Sequence, residues 1–193
     1  LGPLKREGSR RWVSNLLKQA ERVVLRDPLS MEWATRLGCK SAELSSDPVL
    51  NGQLTFPTWR SETKGTVIFV LRDWIKNMNN KKKEFAEFIR YLCLKKGKTV
   101  IGISFEKDSK KERALMSKIF EQAGVGEAAK MLQKNVTLEQ VYKAIASADM
   151  VVGMRLHSLI FAHCIGTPFL AINYAEKNRG FLQQVHKKNW GID

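Results

Sequence analysis

Cysteine is scarce in this chain and falls in no pattern. Cys39, Cys93 and Cys164 are odd in number, and no two stand in a CxxC spacing. That excludes a disulfide framework and a cysteine zinc site, and fits a reducing compartment. Cys93 and Cys164 fall in apolar helical patterns and are expected to be buried thiols. There is no run of about 18 apolar residues, which excludes a membrane-spanning helix, and no signal peptide is recognisable. The expected location is therefore the cytoplasm. Histidine pairs and carboxylate clusters with ligand spacing are also absent, so no metal is expected. No internal repeat is evident. Acidic residues are in deficit: 19 Asp and Glu face 33 Lys and Arg, a net charge of +14. Such a balance favours anionic partners such as nucleic acid, a phosphosugar or an anionic membrane surface. The basic runs Lys81-Lys82-Lys83, Lys95-Lys96 and Lys110-Lys111 are not interleaved with aromatics. They read as solvated helix faces, and no nucleic acid is expected.

What is present is a regular alternation of strands and helices. The chain of 193 residues is 44% hydrophobic, enough for one large domain or one and a half Rossmann-like units. A helix is predicted over 9–20, with Trp12, Val13, Leu16 and Leu17 on one face. A strand at 22–25, a helix opened by Pro28 and ended by Gly38, and a strand at 41–44 follow. The polar stretch 52–65 reads as a linker. The continuous apolar run 66–71 reads as a buried parallel strand. Helices are then predicted over 81–96, 110–122, 137–147, 157–165 and 176–186, and strands over 99–105, 129–132, 150–153 and 168–172. Thr137 with Gln140 three residues on forms a capping box.

The fold class is therefore α/β, a Rossmann-like parallel sheet with right-handed crossovers. Residues 1–58 are expected to be the remnant of an N-terminal α/β domain plus linker, and 59–193 a C-terminal Rossmann-like, donor-binding domain. Leu1-Gly2-Pro3-Leu4 reads as the exit of a strand with no strand before it, so a fragment is expected.

The most informative run is Ala148-Asp149-Met150-Val151-Val152-Gly153-Met154-Arg155-Leu156-His157-Ser158. It reads as a buried strand, a glycine turn and a helix opening with Arg, His and Ser. A helix N-terminus offers unpaired N–H groups and a dipole that favour an anion. Arg155 adds a planar fork suited to phosphate or carboxylate. His157 adds a group that exchanges a proton near neutral pH. Ligands in parallel sheets bind at the carboxyl ends of strands. Arg72-Asp73-Trp74 also follows a strand directly and falls on the same edge.

These residues resemble a known family. The run from Val152 to Ala162 resembles the GMRLHxLIFA signature of polysaccharide pyruvyl transferases of the bacterial cell-wall type. Gly166-Thr167-Pro168 through Tyr174 and Lys177 resembles that family's G-x-P-x-x-x-I-x-Y-x-x-K continuation. Arg26-Asp27 with Ser30 resembles its RDxxS element, Val70 to Trp74 its SLRxW strand end, and Leu1 to Leu4 its GxGPL loop. Val70 stands where the family usually has Ser, and His163 where small residues are common.

The resemblance implies a two-domain, GT-B-like fold. It implies transfer of pyruvyl from phosphoenolpyruvate to two hydroxyls of a sugar, forming a cyclic ketal and releasing phosphate. The partners it implies are phosphoenolpyruvate as co-substrate, with no other cofactor, and a glycan or lipid-linked saccharide acceptor, with peripheral association at the inner face of the membrane. Arg155 and His157 are the catalytic candidates. Arg155, Leu156, His157, Ser158, Arg72, Arg26 and Lys177 are the substrate-binding candidates. Each has a plainer alternative. Arg155 could pair with a buried carboxylate such as Asp149, Arg26 with Asp27, and Ser158 could simply cap its helix. Tyr174 reads as packing, and His163 and His186 as structural or surface groups. Two rival functions stand beside this one. A GT-B glycosyltransferase using a nucleotide sugar would want a ribose carboxylate, a role open to Glu176. A non-catalytic module would bind anionic polymers through the net charge.

Overall fold

The computed structural model describes residues 4–51, 65–72, 78–105 and 110–193. The linker expected at 52–65 lies almost entirely outside them, as do Asp73, Trp74 and most of the opening Leu1 to Leu4.

In chain order the elements are α1 (Glu7–Gln19), β1 (Val23–Leu25), α2 (Pro28–Arg36), β2 (Ala42–Leu44), α3 (Pro48–Asn51), β3 (Thr66–Val70), α4 (Met78–Lys96) and β4 (Thr99–Gly102). They continue with α5 (Lys110–Ala123), β5 (Ala129–Met131), α6 (Leu138–Ala146), β6 (Met150–Gly153), α7 (Leu156–Ile165), β7 (Phe169–Ile172), α8 (Glu176–Gln184) and β8 (Gly191–Ile192). Local chemistry explains several helix ends. Gly97 (φ 60°), Gly124 (φ 62°) and Gly166 (φ 81°) follow α4, α5 and α7 in the left-handed conformation that stops a helix cheaply. Thr137 and Gln140 form the reciprocal capping box that opens α6.

The chain packs as two compact units. One comprises Leu1–Leu54 with Ala175–Asn189, the other Thr55–Tyr174 with Trp190–Asp193. The grouping differs from a single cut at 58, because the chain leaves the second unit after β7 and α8 packs on α2.

In the first unit β1 and β2 form a two-stranded parallel sheet. Its core is small: Val23, Ala34 and Cys39, with Leu17, Leu25 and Ala42 against them. The apolar face expected on α1 is therefore only partly covered. Val13 and Leu17 are half-buried, whereas Trp12 and Leu16 are exposed, and no residue of α1 is fully buried.

The second unit holds six parallel strands in the order β5-β4-β3-β6-β7-β8. β3 lies inside the sheet, and Val67 to Leu71 are all buried, as a continuous apolar run demands. One face packs Phe69, Leu71 and Val152 against Ile89, Met116, Ile119 and Phe120 of α4 and α5. At the amino edge, Asp149 accepts hydrogen bonds from Lys98 Nζ (2.6 Å) and the Gly65 N–H (2.9 Å). This ties together the starts of three neighbouring strands. β8 is not legible in the sequence, because a strand of two residues has no pattern to show.

The thiols differ from expectation. Cys39 is buried, Cys93 is half-buried and Cys164 is exposed. Cys164 is the penultimate residue of α7 and lies on its solvent side.

Candidate active site at the carboxyl edge of the sheet

Strand order reverses at β3. Its successors β4 and β5 lie to one side, and β6, β7 and β8 to the other. Such a switch point opens a crevice at the carboxyl ends of the two central strands, the place where ligands bind in open α/β sheets. The register brings two candidate residues there together. Val70 pairs with Gly153, and Arg72 and Arg155 each stand two residues beyond that pair. The chains stay in contact past the sheet: the Met154 N–H donates to the Val70 carbonyl (2.8 Å), and the Arg72 N–H approaches Met154 Sδ at 3.3 Å.

Arg72 is half-buried, and its Nη1 lies 3.4 Å from the Tyr174 hydroxyl, just past β7. Tyr174 packs against the core as expected, and it also reaches into this polar edge.

Arg155 is the N-cap residue of α7, which begins at Leu156. Its backbone is extended, and its own side chain does not cap the helix. The Arg155 carbonyl instead receives the Ser158 N–H (3.0 Å) and the Ser158 hydroxyl (2.6 Å). Among the described residues the N-cap side chain thus leaves the first-turn N–H groups of the helix uncovered, the arrangement that suits an anion. The Arg155 guanidinium is held from the side by Glu112 of α5. Arg155 Nε donates to Glu112 Oε1 at 2.8 Å, and Nη2 donates to the same oxygen. Glu112 is only 2% exposed, and its other oxygen accepts from the Ser104 hydroxyl at 3.1 Å. The carboxylate partner is therefore Glu112 and not Asp149. Asp149 precedes β6, whereas Arg155 follows it, so the two stand at opposite edges of the sheet.

His157 is exposed in the first turn of α7, with its ring 6.5 Å from that of Phe161. Leu156 is buried and packs as a core residue. Ser158 is fully buried, with its hydroxyl turned to the Arg155 carbonyl, so it shapes the turn and does not face the crevice. Gly153 is not a turn residue; it is the last residue of β6. A Cβ there would lie 2.6 Å from Ser158 Oγ and 2.9 Å from Leu159 Cδ2. Glycine is needed because α7 folds back tightly on the strand end.

Arg26 and Lys177 belong to the first unit. Arg26 Nη1 pairs with Asp47 at 2.9 Å, and its Nε lies 3.9 Å from Asp27, the partner expected from the turn. Asp27 has its own task as the N-cap of α2, accepting from the Ser30 N–H (2.7 Å) and hydroxyl (2.8 Å). The RDxxS element is thus first a helix start. Lys177 is exposed in the first turn of α8, and Glu176 beside it pairs with Arg179 at 3.2 Å. Among the described residues no cluster of His, Cys, Asp and Glu could hold a metal, and no helix is long and apolar enough to cross a membrane.

Glu112 and Ser104 carry no signal in the sequence. Glu112 sits in the charged run that opens α5 and reads there as solvated surface.

A family model described as polysaccharide pyruvyl transferase matches residues 1–176. Among solved structures, the chain is similar to a Methanocaldococcus jannaschii UDP-GlcNAc 2-epimerase, with a TM-score of 0.62 and 9% identity over 85% of this chain. It is also similar to a Thermobaculum terrenum O-GlcNAc transferase, with a TM-score of 0.53 and 14% identity over 78% of this chain. It spans 48% and 31% of the lengths of those two chains. At these identities the likeness concerns the fold, which is of the GT-B-like type.

Proposed function

Since the chain belongs to the polysaccharide pyruvyl transferase family, we propose that it moves a pyruvyl group from phosphoenolpyruvate to a sugar, forming a ketal and releasing phosphate. The observation that carries this reading is the pairing of Arg155 with a helix N-terminus that its side chain leaves uncapped at the switch point, level in register with Arg72 on the neighbouring strand. Phosphoenolpyruvate is a small molecule with a phosphate and a carboxylate. Two guanidinium groups and a set of oriented N–H donors supply the charge and geometry it needs.

The chemistry has few parts. His157, exposed at the helix start, delivers a proton to the methylene carbon of the donor. The C2 carbon becomes cation-like, and a sugar hydroxyl attacks it and loses its proton to solvent or a base. The C2–O bond to phosphate breaks, with Arg155 and the α7 N–H groups stabilising the departing phosphate. A second sugar hydroxyl then attacks C2 and closes the ketal, its proton passing to the released phosphate or to solvent. Glu112 acts through Arg155: holding the Nε edge fixes the plane of the guanidinium, and preorganisation of this kind lowers the cost of stabilising charge in the transition state. The acceptor is a glycan or lipid-linked saccharide. A net charge of +14 favours work at an anionic membrane surface on the cytoplasmic side.

The test supplies phosphoenolpyruvate and a lipid-linked amino-sugar acceptor and follows phosphate release together with the mass of the acceptor. Release that needs both substrates and adds a pyruvyl group supports the reading. Release without acceptor modification, or none at all, removes it.

A further inference from the structure

A second cavity, of about 840 Å³, lies in the same unit beside the crevice. It opens at the carboxyl ends of β4 and β5, between α5 and α6. Clefts of this size hold whole drug-sized ligands, well beyond a three-carbon acid phosphate. Three cations line it, Lys110, Arg113 and Lys134, and no described lining residue is acidic. Arg113 donates to the Leu132 carbonyl at 3.0 Å, which holds the loop carrying Lys134 against α5. The walls also offer an aromatic face at Phe105 and hydroxyls at Ser104 and Ser117. Ser104 joins the cavity to the crevice: it lines the one, and its hydroxyl donates to Glu112, the carboxylate that holds Arg155 in the other.

We propose that this cavity binds a phosphate or diphosphate joined to a sugar ring. The cations meet the phosphate, the Ser117 hydroxyl donates to a sugar oxygen, Ser104 Oγ accepts from a sugar hydroxyl, and the Phe105 ring takes an apolar ring face. If the function proposed above holds, the occupant is the phosphate-bearing end of the acceptor. The shared wall at Ser104 and Glu112 then sets acceptor and donor side by side.

The experiment is calorimetric titration of the whole protein with four probes: a hexosamine 1-phosphate, a uridine diphosphate, inorganic phosphate and phosphoenolpyruvate. Two variants accompany the wild type. Lys134→Glu reverses one charge at an exposed position, and Ser117→Trp fills the cavity from an exposed helix position. One or both ring phosphates should bind the wild type and be weakened by about tenfold or more in Lys134→Glu, the scale of a lost charge-assisted contact. Ser117→Trp should weaken them too, and phosphoenolpyruvate should bind all three proteins alike. Binding of the hexosamine phosphate alone identifies a glycosyl phosphate, and binding of uridine diphosphate alone identifies a nucleotide. The proposal is overturned if neither ring phosphate binds, if inorganic phosphate binds as tightly as they do, or if both variants match the wild type. Loss of phosphoenolpyruvate binding in the wild type, with ring phosphates still bound, removes the pyruvyl-transfer reading and leaves the cavity assignment standing.

Discussion

Arg155 and Glu112 stand 43 residues apart in the chain and meet at the carboxyl edge of the sheet, with Arg155 Nε 2.8 Å from Glu112 Oε1. Glu112 is nearly inaccessible to solvent, and Arg155 and the Ser104 hydroxyl both donate to its carboxylate. Removing one member of a buried pair strands the other, which typically costs about 3–5 kcal/mol. Arg155→Ala should therefore destabilise the protein by about 3 kcal/mol. Glu112→Gln should cost far less, because its amide oxygen still accepts from Arg155. Denaturant melts of the two variants and their double decide it. Equal stability of Arg155→Ala and wild type would show that the pair holds nothing in place.

His157 tests the chemistry with little structural cost, since it is exposed and outside the core. In the pyruvyl-transfer reaction His157→Gln should keep phosphoenolpyruvate binding within a few-fold. Turnover should fall by about 10²–10⁴, the range for a lost general acid. Full turnover in His157→Gln assigns the proton to another group.

Gly153 is held to glycine by contact and not by backbone conformation. Gly153→Ala places a methyl group 2.6 Å from Ser158 Oγ, and that hydroxyl is already committed to the Arg155 carbonyl. The start of α7 must shift. A loss of about 1–3 kcal/mol is expected, the range for overpacking a filled site, together with weaker phosphoenolpyruvate binding. A thermal melt equal to that of wild type would mean that the helix start yields freely.

Asp27 should behave as a helix cap. Asp27→Ala removes the acceptor for the Ser30 N–H and should cost about 0.5–2 kcal/mol, whereas Asp27→Asn should lose less. Circular dichroism melts of both variants separate capping from a role in which the negative charge itself is needed.

The three thiols should be ranked by alkylation. Cys164 is exposed and should react first. Cys93 is half-buried, and burial pushes its thiol pKa up, so less thiolate is present at any pH below that value. Its labelling should lag behind that of Cys164 and rise with pH. Cys39 should react last. Peptide mass spectrometry after timed iodoacetamide treatment reads the order, and Cys39 labelling ahead of Cys164 would contradict the burial described.

Much of the fold is decided by short-range chemistry, and for that reason it is legible in the sequence. The apolar run at Thr66–Val70, the capping box at Thr137 and Gln140, and the glycines closing α4, α5 and α7 each act within a few residues. Alternation of such strands and helices implies a parallel sheet, and crossover handedness leaves few topologies. The placing of Arg155 and His157 at a strand-to-helix junction is legible for the same reason. Only the tertiary structure decides which charges meet. Glu112 lies in a run that reads as solvated, yet α5 packs it inward to Arg155; Asp149, closer in sequence, is turned to Lys98 at the far edge. The need for glycine at 153 also arises only when α7 folds back on β6. Pairings and contacts of this kind depend on the distances between elements, which no local pattern encodes.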